Sequence, residues 1–423
     1  MKIAVVGGGS TYTPELVDGF VAHGDRLPVD ELVLLDPDAQ RLEVVGGLAS
    51  RILSRRGFEG RLELTDDRDR ALDGASFVVI QLRVGGQAAR KVDETLPLEF
   101  GCIGQETTGP GGFAKALRTV PVVLDIAEET ARRGADGAWV VDFTNPVGIV
   151  TQALLDEGHR AIGLCNVSIG LQRRLAAEFS VSPAHVKLEH VGLNHLSWTR
   201  AVRVDGVDRL PELLENSVEL VADELPPALV RLIGAIPSYY LRYYYLTDQV
   251  LQEERTHPSR AEEVMEIERG LLELYRDPTL DEKPKLLEER GGAFYSEAAA
   301  QLIASLHADT GDVQVVDVRN GGALPDLPDD AVVEIPARID ADGAHPEPLA
   351  PLPPEMLGLV QAAKAYERLT VDAAVTGDRD TALKALMANP LVPSYGVAEP
   401  LLDALLDANR AYLPRFFPTT SAA

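Results

Sequence analysis

The chain has 423 residues, of which 45% are hydrophobic and 25% are charged, and its formal net charge is −26 at pH 7. This length and composition predict a globular protein with a large core. The negative charge disfavours nucleic acids and acidic membranes as partners, because their phosphates would be repelled. No apolar run approaches the ~20 residues that span a bilayer. The opening MKIAVVGGGS is unlike a signal sequence, and two cysteines do not make a disulfide scaffold, so we expect a cytoplasmic protein.

The first 165 residues alternate between strand and helix signals. Apolar runs predict strands, and helical stretches such as Lys115–Arg133 lie between them. Thr13-Pro14-Glu15 opens a helix, with proline and an acid in its first turn. This rhythm predicts a Rossmann-type parallel sheet with helices on both faces. The predicted strands are Lys2–Val6, Glu31–Leu35, Ser76–Leu82, Ala138–Phe143 and Arg160–Leu164.

The second half of the chain has a mixed α+β pattern. A strand is predicted over Lys187–Arg203, and the pattern indicates long helical stretches near Leu210–Leu246 and Arg260–Tyr275. We therefore expect a dinucleotide-binding domain over residues 1–168 and a second domain, for substrate, metal and oligomer contacts, over residues 169–423. Further predictions are a β segment at Ala331–Ile339, helices containing Ala362–Leu369 and Ala382–Ala388, and loops at Pro325–Pro328 and from His345 to Pro354.

A glycine loop follows the first predicted strand. Gly7 and Gly9 allow a tight turn and close approach of a pyrophosphate, and Ser10 leads into the next helix, whose N-terminus adds donors. Tyr12 stands where a full GxGxxG motif has its third glycine. Asp36 ends the second strand, where an acid binds ribose hydroxyls and favours NAD over NADP. The alternative for Asp36 is a helix cap before Pro37.

Cys165 and His195 are candidate metal ligands. Cys165 ends the fifth predicted strand, and His195 follows Asn194 in a polar break within an apolar strand. A lone cysteine or histidine is more often a core residue, but together a thiolate and an imidazole suit a divalent transition metal. Two protein ligands are too few for a closed structural zinc site, so the site would be open and catalytic. Cys102 has no comparable partner and is expected to be structural.

Arginines and an asparagine follow other strands at the same predicted edge. Arg83 and Arg90 flank the loop RVGGQAAR, where a guanidinium offers paired donors to phosphate or carboxylate. Ordinary surface arginine is the alternative for each. Asn145 ends the fourth strand, where it would contact nicotinamide and substrate together. Arg260 is a further basic candidate in the acidic second half.

Tyrosines are concentrated in the segment PSYYLRYYYL. Five of the eleven tyrosines lie between Tyr239 and Tyr245. An amphipathic helix that packs their rings explains most of them. One could act as a general base if a cation or metal stabilises its phenolate, and the pattern alone does not choose which.

In these motifs the chain resembles glycoside hydrolase family 4, closest to the 6-phospho-β-glucosidases, over nearly its full length. The resemblance implies a lactate/malate dehydrogenase-like fold, NAD, a divalent metal that is usually Mn²⁺, and a homodimer or homotetramer. It also implies a phosphorylated disaccharide or β-glucoside as substrate. The matching stretches are GGGSTYTPEL, RVGGQAARKVDE, GCIGQETTGPGG, TNPVG, GLCNVSIG, GLNHLSW, IPSYYLRYYY, SRAEEV and RGGAFYSEAA.

The same resemblance implies a role for each candidate. Cys165 and His195 correspond to the metal ligands, and Tyr240 to the catalytic base. Glu106 in GQET would sharpen the basicity of that tyrosine. Arg90, Asn145 and Arg260 correspond to substrate contacts, including the sugar phosphate.

Two residues beside Cys165 refine this expectation. β-type members carry asparagine after the metal cysteine, as Asn166 here, whereas α-type members often carry an aspartate acid. Asn166 therefore indicates β-linked substrates and removes the obvious protein general acid. Ser168 departs from the family pattern, which has proline there, and it could reshape the site slightly.

The implied reaction is a redox elimination and addition, an exception to the two-carboxylate mechanism of most glycosidases. Hydride passes from C3 of the sugar to NAD⁺, and the metal polarises the resulting ketone. Tyr240 removes the proton from C2, the C1 substituent leaves, water adds, and the hydride returns to C3.

Two alternatives stay open at this stage. One is an NAD-dependent dehydrogenase of a hydroxy acid or polyol, although His185 and His190 lack the setting of its histidine base. The other is a non-catalytic module that binds NAD.

Overall fold

A computed structural model describes residues 1–292 and 294–418. Within these residues the strands form a large sheet and a small one. In chain order the strands are β1 Lys2–Val6, β2 Glu31–Leu35, β3 Arg61–Thr65, β4 Phe77–Ile80, β5 Trp139–Asp142, β6 Ala161–Gly163, β7 Val186–Leu193, β8 Leu196–Val204, β9 Val207–Asp208, β10 Ile236–Pro237, β11 Asp312–Arg319, β12 Val332–Asp340 and β13 Gly343–Pro346.

The large sheet has the order β13-β12-β11-β6-β5-β4-β1-β2-β3 in the described residues. Strands β1 to β6 are parallel, and their 3-2-1-4-5-6 order is that of dinucleotide-binding folds. β11, β12 and β13 extend this sheet in antiparallel fashion, with Asp317 of β11 opposite Gly163 of β6. β7, β8, β9 and β10 form the small antiparallel sheet.

The central strands are apolar on both faces because helices cover both. In β1, Ile3 and Val5 belong to one core cluster and Ala4 and Val6 to the other. Side chains alternate between faces along a strand, so a continuous apolar run is what a doubly covered strand requires. The expected Rossmann-type parallel sheet is confirmed.

The predicted strands and several helices lie where the sequence places them, within a few residues. Arg260–Tyr275 is one uninterrupted helix, as predicted, and begins with a capping box between Ser259 and Glu262. No helix in the described part combines the length and apolar character that membrane crossing requires. The α-helices are α1 Thr13–Ala22, α2 Ala39–Arg55, α3 Arg68–Leu72, α4 Gly86–Glu99, α5 Gly109–Arg133, α6 Val147–Asp156, α7 Asn166–Glu178, α8 Leu210–Asn216, α9 Val218–Ala222, α10 Pro227–Ile233, α11 Arg242–Tyr245, α12 Thr247–Thr256, α13 Arg260–Tyr275, α14 Tyr295–Ala308, α15 Pro354–Thr376, α16 Arg379–Ala388 and α17 Tyr395–Ala408.

The long helical stretch predicted near Leu210–Leu246 is wrong. The segment contains four short helices, the two-residue strand β10 and a 3₁₀ turn at Tyr239–Leu241. Pro227 begins α10, and Gly234 ends it with a φ of 71°, which glycine adopts without steric cost. The prediction of one strand over Lys187–Arg203 is also refined, since Asn194 and His195 form the turn of the β7–β8 hairpin.

A buried ion pair in the first half of the chain also forms a hydrogen bond with the C-terminal segment. Arg118 of α5 donates to both carboxylate oxygens of Asp93 in α4, at 2.8 and 2.7 Å, and to Oδ1 of Asn409 at 2.7 Å. Neither charged side chain is exposed. Burial raises the pKa of Asp93 to about 6 even though Arg118 acts in the opposite direction.

Replacing Asp93 with alanine should lower the free energy of unfolding by about 3–5 kcal/mol, because the Arg118 guanidinium would stay buried without its counter-charge. Urea unfolding followed by circular dichroism measures the change. The control is Asp403→Ala, which breaks the exposed pair with Arg379 and should alter stability little because solvent screens that pair. Equal midpoints for the Asp93 variant and the unmodified protein would contradict the expectation.

Candidate active site

A cavity of about 1700 Å³ opens at the carboxyl ends of the parallel strands. That edge is where open α/β sheets bind ligands. All residues predicted to contact cofactor or substrate line the cavity, together with Tyr240 and Glu106. The cofactor and substrate residues are Gly7, Gly9, Ser10, Asp36, Arg83, Arg90, Asn145, Asn166 and Arg260.

Glycines and the Asp36 carboxylate set the conformation of the loop after β1. Gly7 has a φ of 89°, and a Cβ there would lie 2.8 Å from the carbonyl oxygen of Gln81. The Asp36 carboxylate accepts the N–H of Gly9 at 2.9 Å and that of Asp38 at 3.0 Å. A bare loop followed by the N-terminus of α1 fits the phosphates of a dinucleotide. Asp36 therefore shapes the loop and also lines the cavity.

Tyr12 occupies the place of the third glycine, and its side chain joins the loop to a later segment of the chain. Its hydroxyl donates to the carbonyl of Gly292 at 2.7 Å and accepts the N–H of Ser296 at 3.1 Å. The loop is thus attached to the segment that precedes α14. This attachment explains why a tyrosine is accommodated there.

Cys165 and His195 are buried, and the half-buried Tyr240 packs against them to form one group. Cys165 precedes α7 at the end of β6, and His195 lies in the β7–β8 turn. The two side chains belong to residues only 3% and 4% exposed. The Tyr240 ring stacks on the His195 imidazole with 3.7 Å between centroids. Cys165 is close enough to Tyr240 that a thiolate there would raise the pKa of the phenol.

The protonation chemistry of this group fits a divalent cation. Burial lowers the pKa of His195 to about 4, so its imidazole is neutral at pH 7 and has a free lone pair. Burial, followed by the nearby Glu334 carboxylate, raises the pKa of the Cys165 thiol well above its usual value. A bound cation would deprotonate such a thiol. No group of three or more His, Cys, Asp or Glu residues within 1–292 and 294–418 is arranged to hold a metal by itself.

The Tyr240 phenol has a raised pKa and is protonated in the protein alone. Burial raises its pKa, and Cys165, Glu106 and Tyr239 act in the same direction, whereas Arg90 acts against them. A cation bound beside the phenol would favour its ionised form.

Glu106 is the centre of a buried charge cluster. It pairs with Arg83, with the ammonium of Lys115 at 2.7 Å, and with Nε of Arg90 at 3.2 Å. Burial by itself would raise the pKa of Glu106, but these three cations hold it well below its usual range. Burial and the charge of Arg83 lower the pKa of Lys115 to about 7. The cluster concentrates positive charge beside Tyr240 in a strongly acidic protein.

Arg290 and Glu268 line the same cavity, and neither was singled out in the sequence. Arg290 donates to the hydroxyls of Thr11 at 2.7 Å and Ser10 at 3.4 Å, beside the nucleotide loop. Glu268 accepts from Thr11 and Gln87, each at 3.1 Å. The motif RGGAFYSEAA contained the signal for Arg290. Nothing marked Glu268 or Lys115, because a lone charge on an amphipathic helix ordinarily faces solvent.

Asn145 and Arg260 differ in how firmly they are held. Oδ1 of Asn145 is buried without a hydrogen-bond partner in the described residues, which leaves an acceptor for a ligand. Arg260 lies at the cavity rim with its side chain 44% exposed, and it donates to Glu263 and to the carbonyl of Glu289.

Four further residues that the sequence pointed to do not line the cavity. Ser168 is buried in α7, and Cys102 is a buried free thiol whose pKa burial raises to about 11. His185 pairs with Asp205 at the surface, and His190 is buried against Thr199. Neither histidine lines the cavity, so neither is placed as the base of a hydroxy-acid dehydrogenase.

Comparison with known proteins identifies the chain's relatives. Residues 2–181 match the model of family 4 glycosyl hydrolases, and residues 190–392 match that of the family's C-terminal domain. A probable 6-phospho-beta-glucosidase of Bacillus subtilis is 44% identical, over 99% of this chain and 98% of the relative. The 6-phospho-beta glucosidase of Thermotoga maritima, solved with manganese, NAD⁺ and glucose-6-phosphate, is 38% identical. It superposes with a TM-score of 0.91 over 97% of this chain and 99% of its own.

A more distant likeness concerns the fold alone. Malate dehydrogenase of Plasmodium falciparum is 15% identical, with a TM-score of 0.56 over 89% of this chain and 98% of its own. The expected lactate/malate dehydrogenase-like fold is confirmed. The family matches extend over nearly the whole sequence and both of its halves, and the chain belongs to family 4 of the glycosyl hydrolases.

Proposed function

We propose that this protein hydrolyses 6-phospho-β-glucosides with the help of NAD and a divalent cation, most readily Mn²⁺. The observation that carries the proposal is the juxtaposition of Cys165, His195 and Tyr240 beside a cavity that begins at the glycine loop. The glycosidases similar to this chain support it, since the Thermotoga maritima enzyme was solved with manganese, NAD⁺ and glucose-6-phosphate.

NAD, the divalent cation and the protein would each perform a different part of the reaction. NAD⁺ would accept and return a hydride at C3 of the sugar, while the cation, held by Cys165 and His195, would polarise the C2 and C3 oxygens. The protein must then bind the sugar, exclude water and move the C2 proton. These tasks fall to the side chains that line the cavity.

Tyr240 is the group that moves the C2 proton. It lines the cavity and stacks on a proposed metal ligand, so its hydroxyl is within reach of the charge that would make it a base. Arg90 favours the phenolate. Glu106 holds Arg90 and Arg83 in place and is a positioning residue for the base.

The anionic ends of cofactor and sugar need positive charge, and arginines along the cavity supply it. Arg83 and Arg90 lie at its centre, Arg290 beside the loop after β1, and Arg260 at the rim. Guanidinium groups bind phosphate with paired hydrogen bonds. We assign Arg260 to the sugar phosphate, together with Arg290.

Asn166 lines the cavity next to Cys165 and cannot donate a proton as an acid. This supports substrates whose leaving group departs without a protein acid at that place, as expected for the β-linked class. The free thiols of Cys102 and Cys165 support action in the cytoplasm. The expected homodimer or homotetramer stays a prediction.

Hydrolysis of an aryl 6-phospho-β-glucoside in D₂O should place deuterium at C2 of the product sugar, because the proton that Tyr240 removes exchanges with solvent before it is replaced. Mass spectrometry and proton NMR of the glucose 6-phosphate measure it. Omitting NAD⁺ or Mn²⁺ in turn should abolish turnover. A product without deuterium would rule out this route, and NADH formed in proportion to substrate consumed would indicate a dehydrogenase instead.

Changing Tyr240 to phenylalanine should lower kcat by about 10²- to 10⁴-fold, the usual contribution of a positioned general base. NAD⁺ affinity should not change, because the ring and its stacking on His195 are retained. The matched control is Tyr245→Phe in the same segment, whose hydroxyl lies 3.3 Å from Nε1 of Trp198 and is absent from the cavity wall. Turnover by the Tyr240 variant at the rate of the control would show that another group is the base.

Changing Arg260 to glutamine should lower kcat/KM for the phosphorylated substrate by about 10- to 100-fold, as expected for loss of a hydrogen bond to a charged group. Activity on the unphosphorylated β-glucoside should change little, so the ratio of the two constants is the measurement. Arg269→Gln, on the same helix but exposed and paired with Glu266, is the control. If both substrates lose activity equally, Arg260 does not recognise the phosphate.

A further inference from the structure

A buried hydrogen-bond network connects the β7–β8 hairpin to β12. Glu334 of β12 is 1% exposed, and its Oε2 accepts from Nε2 of His190 in β7 at 3.0 Å. Its Oε1 accepts from Nδ2 of Asn194 in the hairpin turn at 3.3 Å. His190 is fixed at its other nitrogen by Thr199 of β8, at 3.1 Å. One carboxylate thus holds β7 and the hairpin turn directly, and it reaches β8 through His190.

This network adjoins both proposed metal ligands. Asn194 immediately precedes His195, and its side chain interacts with the Cys165 thiol. The two ligands come from separate parts of the fold, Cys165 from the end of β6 and His195 from the hairpin turn. The distance between them is therefore set by whatever fastens the hairpin to the large sheet, and Glu334 is part of that sheet.

The hairpin turn needs such an anchor because its backbone is strained. His195 has a φ of 62°, in the left-handed region that residues other than glycine rarely adopt. Strain of this kind persists only where the surrounding structure over-determines it. The two hydrogen bonds that Glu334 accepts, from residues on either side of Gly192, meet that requirement.

We infer that Glu334, acting through Asn194 and His190, is a positioning residue that holds Cys165 and His195 at the spacing of a metal site. The inference rests on the proposed function, since it concerns the same cation. Glu334, His190 and Asn194 do not line the cavity, and we assign them no contact with the substrate. Groups behind metal ligands commonly set ligand orientation and metal affinity in this manner.

The test measures Mn²⁺ binding to the full chain, saturated with NAD⁺ and without substrate, from the electron paramagnetic resonance signal of free Mn²⁺. Glu334→Ala should raise the Kd for Mn²⁺ by about 10- to 100-fold. Glu334→Gln keeps the shape and one acceptor oxygen, and should recover most of that loss. The Kd for NAD⁺, measured by calorimetry, should stay within about twofold in both variants, because the nucleotide loop lies elsewhere. Glu189→Ala is the matched control, since it removes a carboxylate of β7 that pairs with Arg200 and Arg203 instead.

Asn194→Ala gives an independent measurement if the Glu334→Ala protein does not fold. It should also weaken Mn²⁺ binding, and the double variant should bind no more weakly than the poorer single variant, because both belong to one network. Unchanged Mn²⁺ affinity in Glu334→Ala or in Asn194→Ala would overturn the inference. Equal losses of Mn²⁺ affinity in Glu334→Ala and Glu334→Gln would overturn it too. They would show that the negative charge of Glu334, and not its hydrogen bonds to the hairpin, supports metal binding. If the unmodified protein itself fails to bind Mn²⁺, the proposed function fails instead.

Discussion

The antiparallel pairing of β11 with β6 is the contact on which the rest of the structure depends. Without it, β6 would leave the parallel sheet with an open edge of unpaired backbone groups. With it, the second half of the chain adds β11, β12 and β13 to a sheet that the first half began. Cys165 follows β6, and Glu334 is part of β12, so this pairing also brings the proposed metal ligand to its anchor. The site exists because two halves of the sequence complete one sheet.

The chemistry of the site follows from charge placed where water is excluded. Burial moves the pKa of Cys165 and Tyr240 upward and that of His195 downward, so each group is neutral in the protein alone. Glu106 stays ionised because three cations surround it. An added divalent cation would therefore meet a neutral imidazole, a thiol and a phenol that it can deprotonate, with compensated charge close by. The net charge of the protein is −26, and Arg83, Arg90 and Arg290 supply local positive charge in this cavity for an anionic ligand.

Short sequence patterns were enough to predict many of the strands and helices and to name the candidate residues of the site. Lys2–Val6, Glu31–Leu35 and Arg260–Tyr275 were predicted with the bounds that the structure has. Apolar runs and capping signals are short-range, so they are readable from neighbouring residues alone. The long helical stretch predicted near Leu210–Leu246 was wrong, because Pro227 and Gly234 interrupt a segment whose apolar periodicity suggested continuity. The strand Asp312–Arg319 was missed, since its alternating pattern resembles an exposed hairpin and gives no hint that it extends the parallel sheet.

The amino-acid sequence was sufficient to name candidate residues for a dinucleotide, a metal and a phosphate, because each candidate stands in a short motif that can be recognised from its neighbours. It could not determine which of them touch. The stacking of Tyr240 on His195, the three cations around Glu106 and the bonds of Glu334 to His190 and Asn194 join residues from separate elements. These contacts depend on how the elements pack, since a buried charge must find its partner wherever packing places one, and that partner can be far away in the chain.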